Sequence, residues 1–135
     1  LALDATIHTT KASHMAEDYF SRGGLTEGEL ITKICFEIPS KGIYLKQTRA
    51  SSTDAVIGVL VSRFEKKCRV AIVGAQRAAF LCPALETALS KKFHQDVYDH
   101  SHIPPGMLSD NADASLDYQQ NLVAILCKKA IRSCA

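Results

Sequence analysis

The spacing of apolar residues changes midway along this chain, and that change constrains the fold more than any other feature of the sequence. In residues 1–9, LALDATIHT, apolar and more polar side chains alternate, which is typical of a half-buried strand. Further along, Leu81, Leu85 and Leu89 recur every four positions, which is typical of a helix. A chain with strands first and helices later is expected to be an α+β protein. We therefore predict an antiparallel sheet with helices packed on one face.

The first half of the chain contains several further strand patterns. Pro39 closes one of them, because proline cannot donate to a β ladder. Two others flank the charged turn at residues 65–67 and predict a β-hairpin. The glycine-containing segment 16–30 is interpreted as a connection. The strands predicted after the first are residues 30–39, 43–48, 55–64 and 68–75.

The second half of the chain contains helix signals. Pro83 suits the first turn of a helix, where a missing N–H costs nothing. Ser115 is the predicted N-cap of the last helix, and Asp117 lies in its first turn. Residues 102–114 between the two helices are interpreted as a loop, because they contain a Pro-Pro-Gly break.

Size and composition narrow the classes of protein. The 135 residues suffice for one domain with a single core, so we take 1–135 as one domain. A net charge of +2 with mixed signs does not indicate nucleic-acid binding. No apolar run approaches the roughly 18 residues that would cross a membrane. Five scattered cysteines without a Cys-x-x-Cys pair favour buried thiols in a reducing compartment, hence a cytoplasmic protein. The start without Met leads us to expect a fragment.

Spacing alone provides no catalytic or metal site. The turn at Gly74 lacks the Gly-x-Gly-x-x-Gly spacing of a phosphate-binding loop, so Gly74 is expected to permit a tight turn only. Residues 99–102, DHSH, have side chains of the types that bind metal ions, but an ordinary polar loop has the same composition. We predict neither catalytic nor metal-binding residues, and an enzyme that uses a metal at His94, His100 or His102 is the least favoured function.

A polar segment interrupts apolar residues within 44–61, YLKQTRASSTDAVIGVLV. Lys46, Gln47, Arg49 and Asp54 lie close together between two segments that should be buried. They could form the solvated loop of a hairpin. They could also form a loop that covers a cofactor bound mostly by something else.

Residues 18–39, residues 44–61 and the Ala/Leu/Glu helix after VGA together resemble the C-terminal domain of molybdenum-hydroxylase flavoprotein subunits. That family includes the medium subunit of carbon monoxide dehydrogenase and the FAD domain of xanthine dehydrogenase. Its Gly-Glu-Leu-Ile strand that ends in Pro is matched by residues 28–31 and Pro39. Its aromatic-x-Lys stretch, Arg-bearing loop and Asp before an apolar strand are matched by Tyr44, Lys46, Arg49 and Asp54.

The resemblance implies a fold and a function. The implied fold is an antiparallel sheet of three to four strands with about three helices on one face, forming the C-terminal domain of a flavoprotein subunit. The implied function is to pass electrons from the iron–sulfur clusters of a molybdenum hydroxylase through FAD to an acceptor such as NAD. The FAD-cradling N-terminal part is not in this sequence, so FAD binding by this chain is expected to be weak or absent. Implied partners are that cradling domain and the molybdopterin and iron–sulfur subunits; a homo-oligomer is left open.

Lys46, Gln47, Arg49 and Asp54 match the family's flavin-side loop and are the candidate cofactor-binding residues. Fixed charge in such a loop tunes the potential of a flavin. Lys46 or Arg49 would stabilise an anionic reduced flavin, whereas Asp54 would oppose that effect or orient the ring. The alternative is a solvent-exposed pair of Arg49 with Asp54, worth less than about 1 kcal/mol.

The sequence departs from the family near its C-terminus. Relatives carry Asp-x-Arg-x-Ser before the last helix and a Tyr-Arg pair inside it. Here Asn111 and Asp113 stand at the Asp and Arg positions, and Gln119 follows Tyr118. Both arginines, and with them two bidentate donors, are lost. The alternative function is a non-catalytic, divergent interaction module of the same fold.

Overall fold

The structure, a computed structural model, describes residues 1–48, 54–75, 78–110 and 114–135. Its strands are β1 (Thr6–Thr9), β2 (Ser13–Met15), β3 (Ile31–Cys35), β4 (Lys41–Thr48), β5 (Ala55–Arg63), β6 (Cys68–Val73) and β7 (Phe80–Leu81). Its α-helices are α1 (Ala16–Ser21), α2 (Pro83–Lys91) and α3 (Leu116–Cys134). Two short 3-10 helices, Gln95–Val97 and His100–His102, lie between α2 and α3.

Strands β4 to β7 form the larger sheet, in the order β4-β5-β6-β7, and every pair is antiparallel. Strands β5 and β6 pair from Gly58 with Val73 to Arg63 with Cys68, which confirms the predicted hairpin. Consecutive strands are therefore neighbours, and chain reversals place the end of β4, the start of β5 and the end of β6 at one end of the sheet.

The main core lies between the larger sheet and helices α2 and α3. Alternate residues of β5, namely Ile57, Val59 and Val61, are fully buried, as the period of two requires. Helix α2 contributes Leu85 and Leu89 to the same cluster, and α3 contributes Val123, Cys127 and Ile131. The predicted α+β class, an antiparallel sheet with helices on one face, is confirmed.

The helix signals are confirmed at both predicted starts. Pro83 occupies the beginning of α2. The Ser115 hydroxyl accepts a hydrogen bond from the Tyr118 N–H at 3.4 Å and caps α3. No helix among the described residues is both long and apolar enough to span a membrane.

The structure adds a second, smaller sheet of the order β2-β1-β3. Helix α1 packs on it, and Ala16 and Tyr19 form a second cluster with Ile7 of β1. The interpretation of residues 16–30 as a connection was therefore wrong for its first six residues. A helix this short has little intrinsic stability, and α1 lacks a side-chain N-cap. Its stability comes from burial against a strand nine or more residues earlier, which no local pattern reveals.

Glu29, buried in the loop before β3, holds the smaller unit together. Its carboxylate accepts hydrogen bonds from the hydroxyl of Thr9 and from both the N–H and the hydroxyl of Thr26. Arg22, just after α1, forms an ion pair with it at 3.1 Å. These donors, led by the Thr9 hydroxyl, hold the pKa of Glu29 far below its ordinary range. Glu29 thus ties the end of α1 and the loop at Thr26 to strand β1.

A second charged network joins the two sheets through Arg69 of β6. Its Nε lies 2.7 Å from a carboxylate oxygen of Asp4, and its Nη1 lies 3.1 Å from Oε2 of Glu86 in α2. Glu86 is buried, and its other oxygen accepts the Val70 N–H at 2.9 Å. Lys67 also pairs with Asp4. The segment before β1 is therefore fixed to the hairpin β5–β6 and, through Arg69, to helix α2.

We expect Asp4→Asn to destabilise the protein at neutral pH by removing the charge that Lys67 and Arg69 contact. Burial raises the pKa of Asp4, but the hydrogen bonds from Lys67 and Arg69 outweigh it, so the pKa lies below its usual range. Asparagine tolerates the positive φ of 47° at this position, so the backbone is preserved. Hydrogen bonds to charged groups contribute about 1.5–3 kcal/mol, which predicts a Tm lower by about 3–8 °C.

Circular dichroism melts at several pH values test this prediction. Because the folded pKa of Asp4 is depressed, its contribution is present above the unfolded pKa of about 3.9 and is lost as the pH falls through the folded value. The two proteins should therefore converge in strong acid. Asp18→Asn, an exposed change on α1, serves as the control. Equal melting of Asp4→Asn and wild type at pH 7 would show that the network does not matter.

Candidate functional site

The polar segment singled out in the sequence lies at the end of the hairpin β4–β5. Lys46 pairs with Gly58 and Gln47 pairs with Ile57, and the register shifts between Gln47 and Thr48. Lys46 and Gln47 are both exposed and, as neighbours in a strand, point to opposite faces of the sheet. The Gln47 amide donates to the Thr48 carbonyl at 3.0 Å.

Asp54 is exposed and stands directly before β5. Since Thr48 pairs with Ala55, Asp54 lies at the same end of the sheet as Lys46 and Gln47. Three of the four candidate cofactor-binding residues thus lie at one end of the sheet, with Lys46 and Gln47 on opposite faces. The fourth, Arg49, lies outside the described residues, and so does its suggested pairing with Asp54.

Tyr44 belongs to this site, although the sequence reasoning did not count it among the candidates. It is two residues before Lys46 and lies on the same face of β4. A Cβ added at Gly58 would lie 2.5 Å from the Tyr44 hydroxyl and 2.7 Å from Val73 Cγ2. Glycine is therefore required where the ring crosses β5. A glycine inside an otherwise apolar strand was the available signal, because it often marks such a close approach.

The turn after β6 reaches the same end of the sheet. Gly74 has a φ of +91°, and a Cβ there would lie 2.5 Å from the Val56 carbonyl oxygen. The turn is thus packed against the first residues of β5, immediately after Asp54. Gly74 serves a tight turn, and the space above its backbone is filled by protein.

Helix α3 begins near the site as well. Its C-terminal end meets the far end of β5, where the Cys134 thiol donates to the Val61 carbonyl. Nineteen helical residues span about 28 Å and the nine residues of β5 about 30 Å. Because α3 packs along the sheet, its N-terminus at Ser115 lies toward the end that carries Asp54.

Gln119, the residue at which the sequence resemblance leads one to expect an arginine, is fully buried in the first turns of α3. Its amide donates to the carbonyls of Ser109 and Ala114, at 2.7 and 3.0 Å. Asn111 and Asp113 lie outside the described residues. The neutral Gln119 side chain thus donates twice and joins Ser109 to the start of α3.

The histidines elsewhere do not assemble a metal site. In the capping box of residues 99–102, the Asp99 carboxylate accepts from the Ser101 N–H and the His102 ring accepts from the Asp99 N–H. Within the part of the chain that the structure describes, no three His, Cys, Asp or Glu side chains converge. In this segment, the side chains of Asp99 and His102 cap local backbone N–H groups.

The donor set at the hairpin end suits one part of a flavin nucleotide and not another. An ammonium, an amide and a carboxylate at Lys46, Gln47 and Asp54 are groups that can contact the polar edge of a flavin ring. Because Lys46 and Gln47 lie on opposite faces of the sheet, a ring on one face would contact one of these two side chains and not both. A pyrophosphate needs backbone N–H groups that it can approach closely. At Gly74 the backbone of Ala55 and Val56 already fills the space where a Cβ would lie. The described residues of this end therefore fit a ring-edge contact better than a phosphate cradle.

Comparison with known proteins gives a match in structure but none in sequence. No protein-family model matches the chain, and no curated protein does. The fold is similar to quinoline 2-oxidoreductase from Pseudomonas putida 86, with a TM-score of 0.76 and 18% identity. It is also similar to the carbon monoxide dehydrogenase from Hydrogenophaga pseudoflava that lacks the Mo-pyranopterin moiety, with a TM-score of 0.70 and 18% identity. A Cu,Mo carbon monoxide dehydrogenase in its cyanide-inactivated form is similar as well, with a TM-score of 0.63 and 13% identity.

Each match covers 98% of this chain and 53% of the solved chain, so this chain spans about half the length of the proteins it matches. At these identities the likeness establishes the fold. The chain has a fold found in subunits of these oxidoreductases, and the resemblance to carbon monoxide dehydrogenase seen in the sequence is confirmed at that level.

We expect Gln119→Leu to destabilise the protein, because the bonds from its amide to the carbonyls of Ser109 and Ala114 are lost. Such hydrogen bonds contribute about 0.5–1.5 kcal/mol each. The variant should therefore melt a few degrees lower, as measured by circular dichroism. Gln120→Leu, the same change one residue along and half-buried, is the matched control. If both variants melt alike, the two hydrogen bonds do not stabilise the fold.

Proposed function

We propose that this chain is the C-terminal part of the FAD-binding subunit of a molybdenum hydroxylase. In that subunit, bound FAD would receive electrons from iron–sulfur clusters and pass them to an acceptor such as NAD. The observation that supports the proposal is the fold, which is similar to that of a quinoline oxidoreductase and of carbon monoxide dehydrogenases over 98% of this chain. Its partners would be the FAD-cradling domain of the same subunit and the molybdopterin and iron–sulfur subunits.

The hairpin end would act as a cap on the edge of the flavin ring. The Lys46 ammonium, exposed beside Tyr44, supplies positive charge that favours a negatively charged reduced ring. Gln47 supplies an amide that can donate and accept hydrogen bonds at the ring edge. Asp54 supplies the opposite charge and would limit the effect of the cations or orient the ring. Arg49 is proposed to act with Lys46.

The charge at Lys46 should be measurable as a flavin potential. In the complete subunit we expect Lys46→Ala to lower the two-electron midpoint potential by about 20–60 mV, which corresponds to a loss of about 1–3 kcal/mol of electrostatic stabilisation. Arg49→Ala should shift the potential in the same direction. Spectroelectrochemical titration of the bound flavin measures both.

Lys66→Ala is the matched control for this titration. It removes an equal charge from an exposed position in the turn after β5. Lys46 pairs with Gly58, and about 17 Å of strand separate Gly58 from Arg63, where that turn begins. Its potential should equal that of the wild type. Unchanged potentials in both Lys46→Ala and Arg49→Ala would show that the hairpin end has a structural role and does not tune the flavin.

The 135-residue chain by itself should purify without flavin, because the described residues contain no phosphate cradle, whereas the complete subunit should be yellow. Absorbance near the flavin maximum, quantified against protein, measures the stoichiometry. One tightly held flavin per 135-residue chain would contradict the prediction. A colourless complete subunit would instead favour the alternative, a non-catalytic interaction module of this fold.

A further inference from the structure

Strand β3 and the residues around it expose an unusual amount of apolar surface. Ile34, Phe36 and Ile38 are 53%, 56% and 84% exposed. They alternate along the chain, so they lie on one face of the strand and its extension. Apolar side chains exposed singly are ordinary, but a contiguous row of this kind marks an interaction surface.

A comparison within the smaller sheet shows that this face is only half covered. Ile7 of β1 and Ile34 of β3 are direct partners across the ladder and point to the same face. Ile7 is 5% exposed, because Ala16 and Tyr19 of helix α1 pack on it. Ile34, one strand further on, extends beyond the cover of α1. The layer that buries Ile7 therefore stops before it reaches β3.

The backbone of β3 is also open on its outer side. On the β2 side of β1, the Thr9 N–H donates to the Ala12 carbonyl and the Ala16 N–H donates to the Ala5 carbonyl. The backbone N–H and C=O groups of Ala5, Ile7 and Thr9 therefore point toward β2. By the alternation of an antiparallel ladder, Thr6 and His8 face β3 and bond their partners Cys35 and Lys33. The N–H and C=O groups of Ile34, which lies between these two pairs, therefore point away from β1. They lie on the edge of the sheet, since β3 is its last strand. Thr32 is different, because the register shifts beside it and its hydroxyl donates to the His8 carbonyl.

The other sheet edges in the described part of the chain are protected in recognised ways. Strands β2 and β7 have only three and two residues, so their outer edges are too short to bind a further strand. Strand β4 has exposed Lys41 and Lys46 and turns Ile43 and Leu45 toward the core. Strand β3 contains a single charge, at Lys33, beside its apolar row. Among the edges that the structure describes, that of β3 carries the longest row of exposed apolar side chains beside its open backbone groups.

We propose that β3 is an interior strand in the complete subunit, where an extended, apolar segment of the FAD-cradling domain pairs with its open edge and covers Ile34 and Phe36. This inference rests on the proposed function, from which the cradling domain is taken. The solved chains of similar fold are about twice as long as the part this chain matches, so a segment of the same polypeptide can supply the missing strand. Pairing in this way is β-strand addition, with backbone hydrogen bonds for affinity and alternate side chains for specificity.

Amide hydrogen exchange on the complete subunit, resolved residue by residue, tests the pairing and includes its own reference. The amides of Lys33 and Cys35 bond to β1 and should exchange slowly in any case. If β3 is interior, Ile34 should exchange as slowly, at least about 100-fold slower than in a free peptide. Fast exchange at Ile34 with slow exchange at Lys33 and Cys35 would overturn the proposal.

A matched pair of substitutions tests the cover. Ile34 and Ile125, the latter on α3, are similarly exposed in this chain, 53% and 61%. The chain by itself therefore predicts that Ile34→Lys and Ile125→Lys are tolerated equally. In the complete subunit we expect Ile34→Lys to lower the Tm by at least about 4 °C and Ile125→Lys by less than about 1 °C. Equal small shifts would overturn the proposal.

Two further outcomes decide which polypeptide supplies the strand. Protection at Ile34 that disappears when the subunit is diluted to a monomer would assign the edge to a second copy and overturn the proposal. Protection that needs the other subunits would overturn it as well. The flavin stoichiometry is measured separately. A colourless subunit with slow exchange at Ile34 would refute the proposed function while supporting an interior β3, and a yellow subunit with fast exchange at Ile34 would do the reverse.

Discussion

Arg69 is the residue on which the relation between the two halves of this molecule depends. Its guanidinium lies between Asp4, ahead of the smaller sheet, and Glu86, on a helix of the larger one. Burial lowers the pKa of Arg69, but the hydrogen bond and charge of Glu86 and the contact with Asp4 more than compensate and raise it. A planar group with several fixed donors can join three chain segments in this way, and a lysine could not. The placement of the apolar β3 edge relative to the hairpin end follows from this junction.

The position of the candidate site follows from topology. In an antiparallel sheet of consecutive strands, alternate connections meet at the same end, so the start of β5 and the turn at Gly74 are neighbours. Helix α3 has nearly the length of β5, so its capped N-terminus is directed toward that end too. At the opposite end of the sheet, Cys134 bonds to the Val61 carbonyl and Lys41 bonds to the Ala135 carbonyl.

The sequence predicted the parts of the fold that local signals specify. The hairpin β5–β6, the helix start at Pro83 and the cap at Ser115 each have a signature within a few residues. Helix α1 has none, because its formation depends on Tyr19 finding Ile7. For the candidate site, the residue types in the sequence indicated the hairpin end. The packing of the Tyr44 ring over Gly58 could not be predicted in this way, because it is a contact between two strands. The exposure of Ile34 was equally invisible, since the same alternating pattern describes a covered strand and an uncovered one.

Gln119 shows how a buried polar side chain can bond backbone groups without adding charge. An arginine near the start of α3, which the sequence resemblance leads one to expect, would both donate hydrogen bonds and add positive charge. Gln119 makes the donation, to Ser109 and Ala114, and adds no charge. If the end of the sheet toward which α3 begins borders a flavin, as proposed, this position contributes nothing to the stabilisation of an anionic reduced ring.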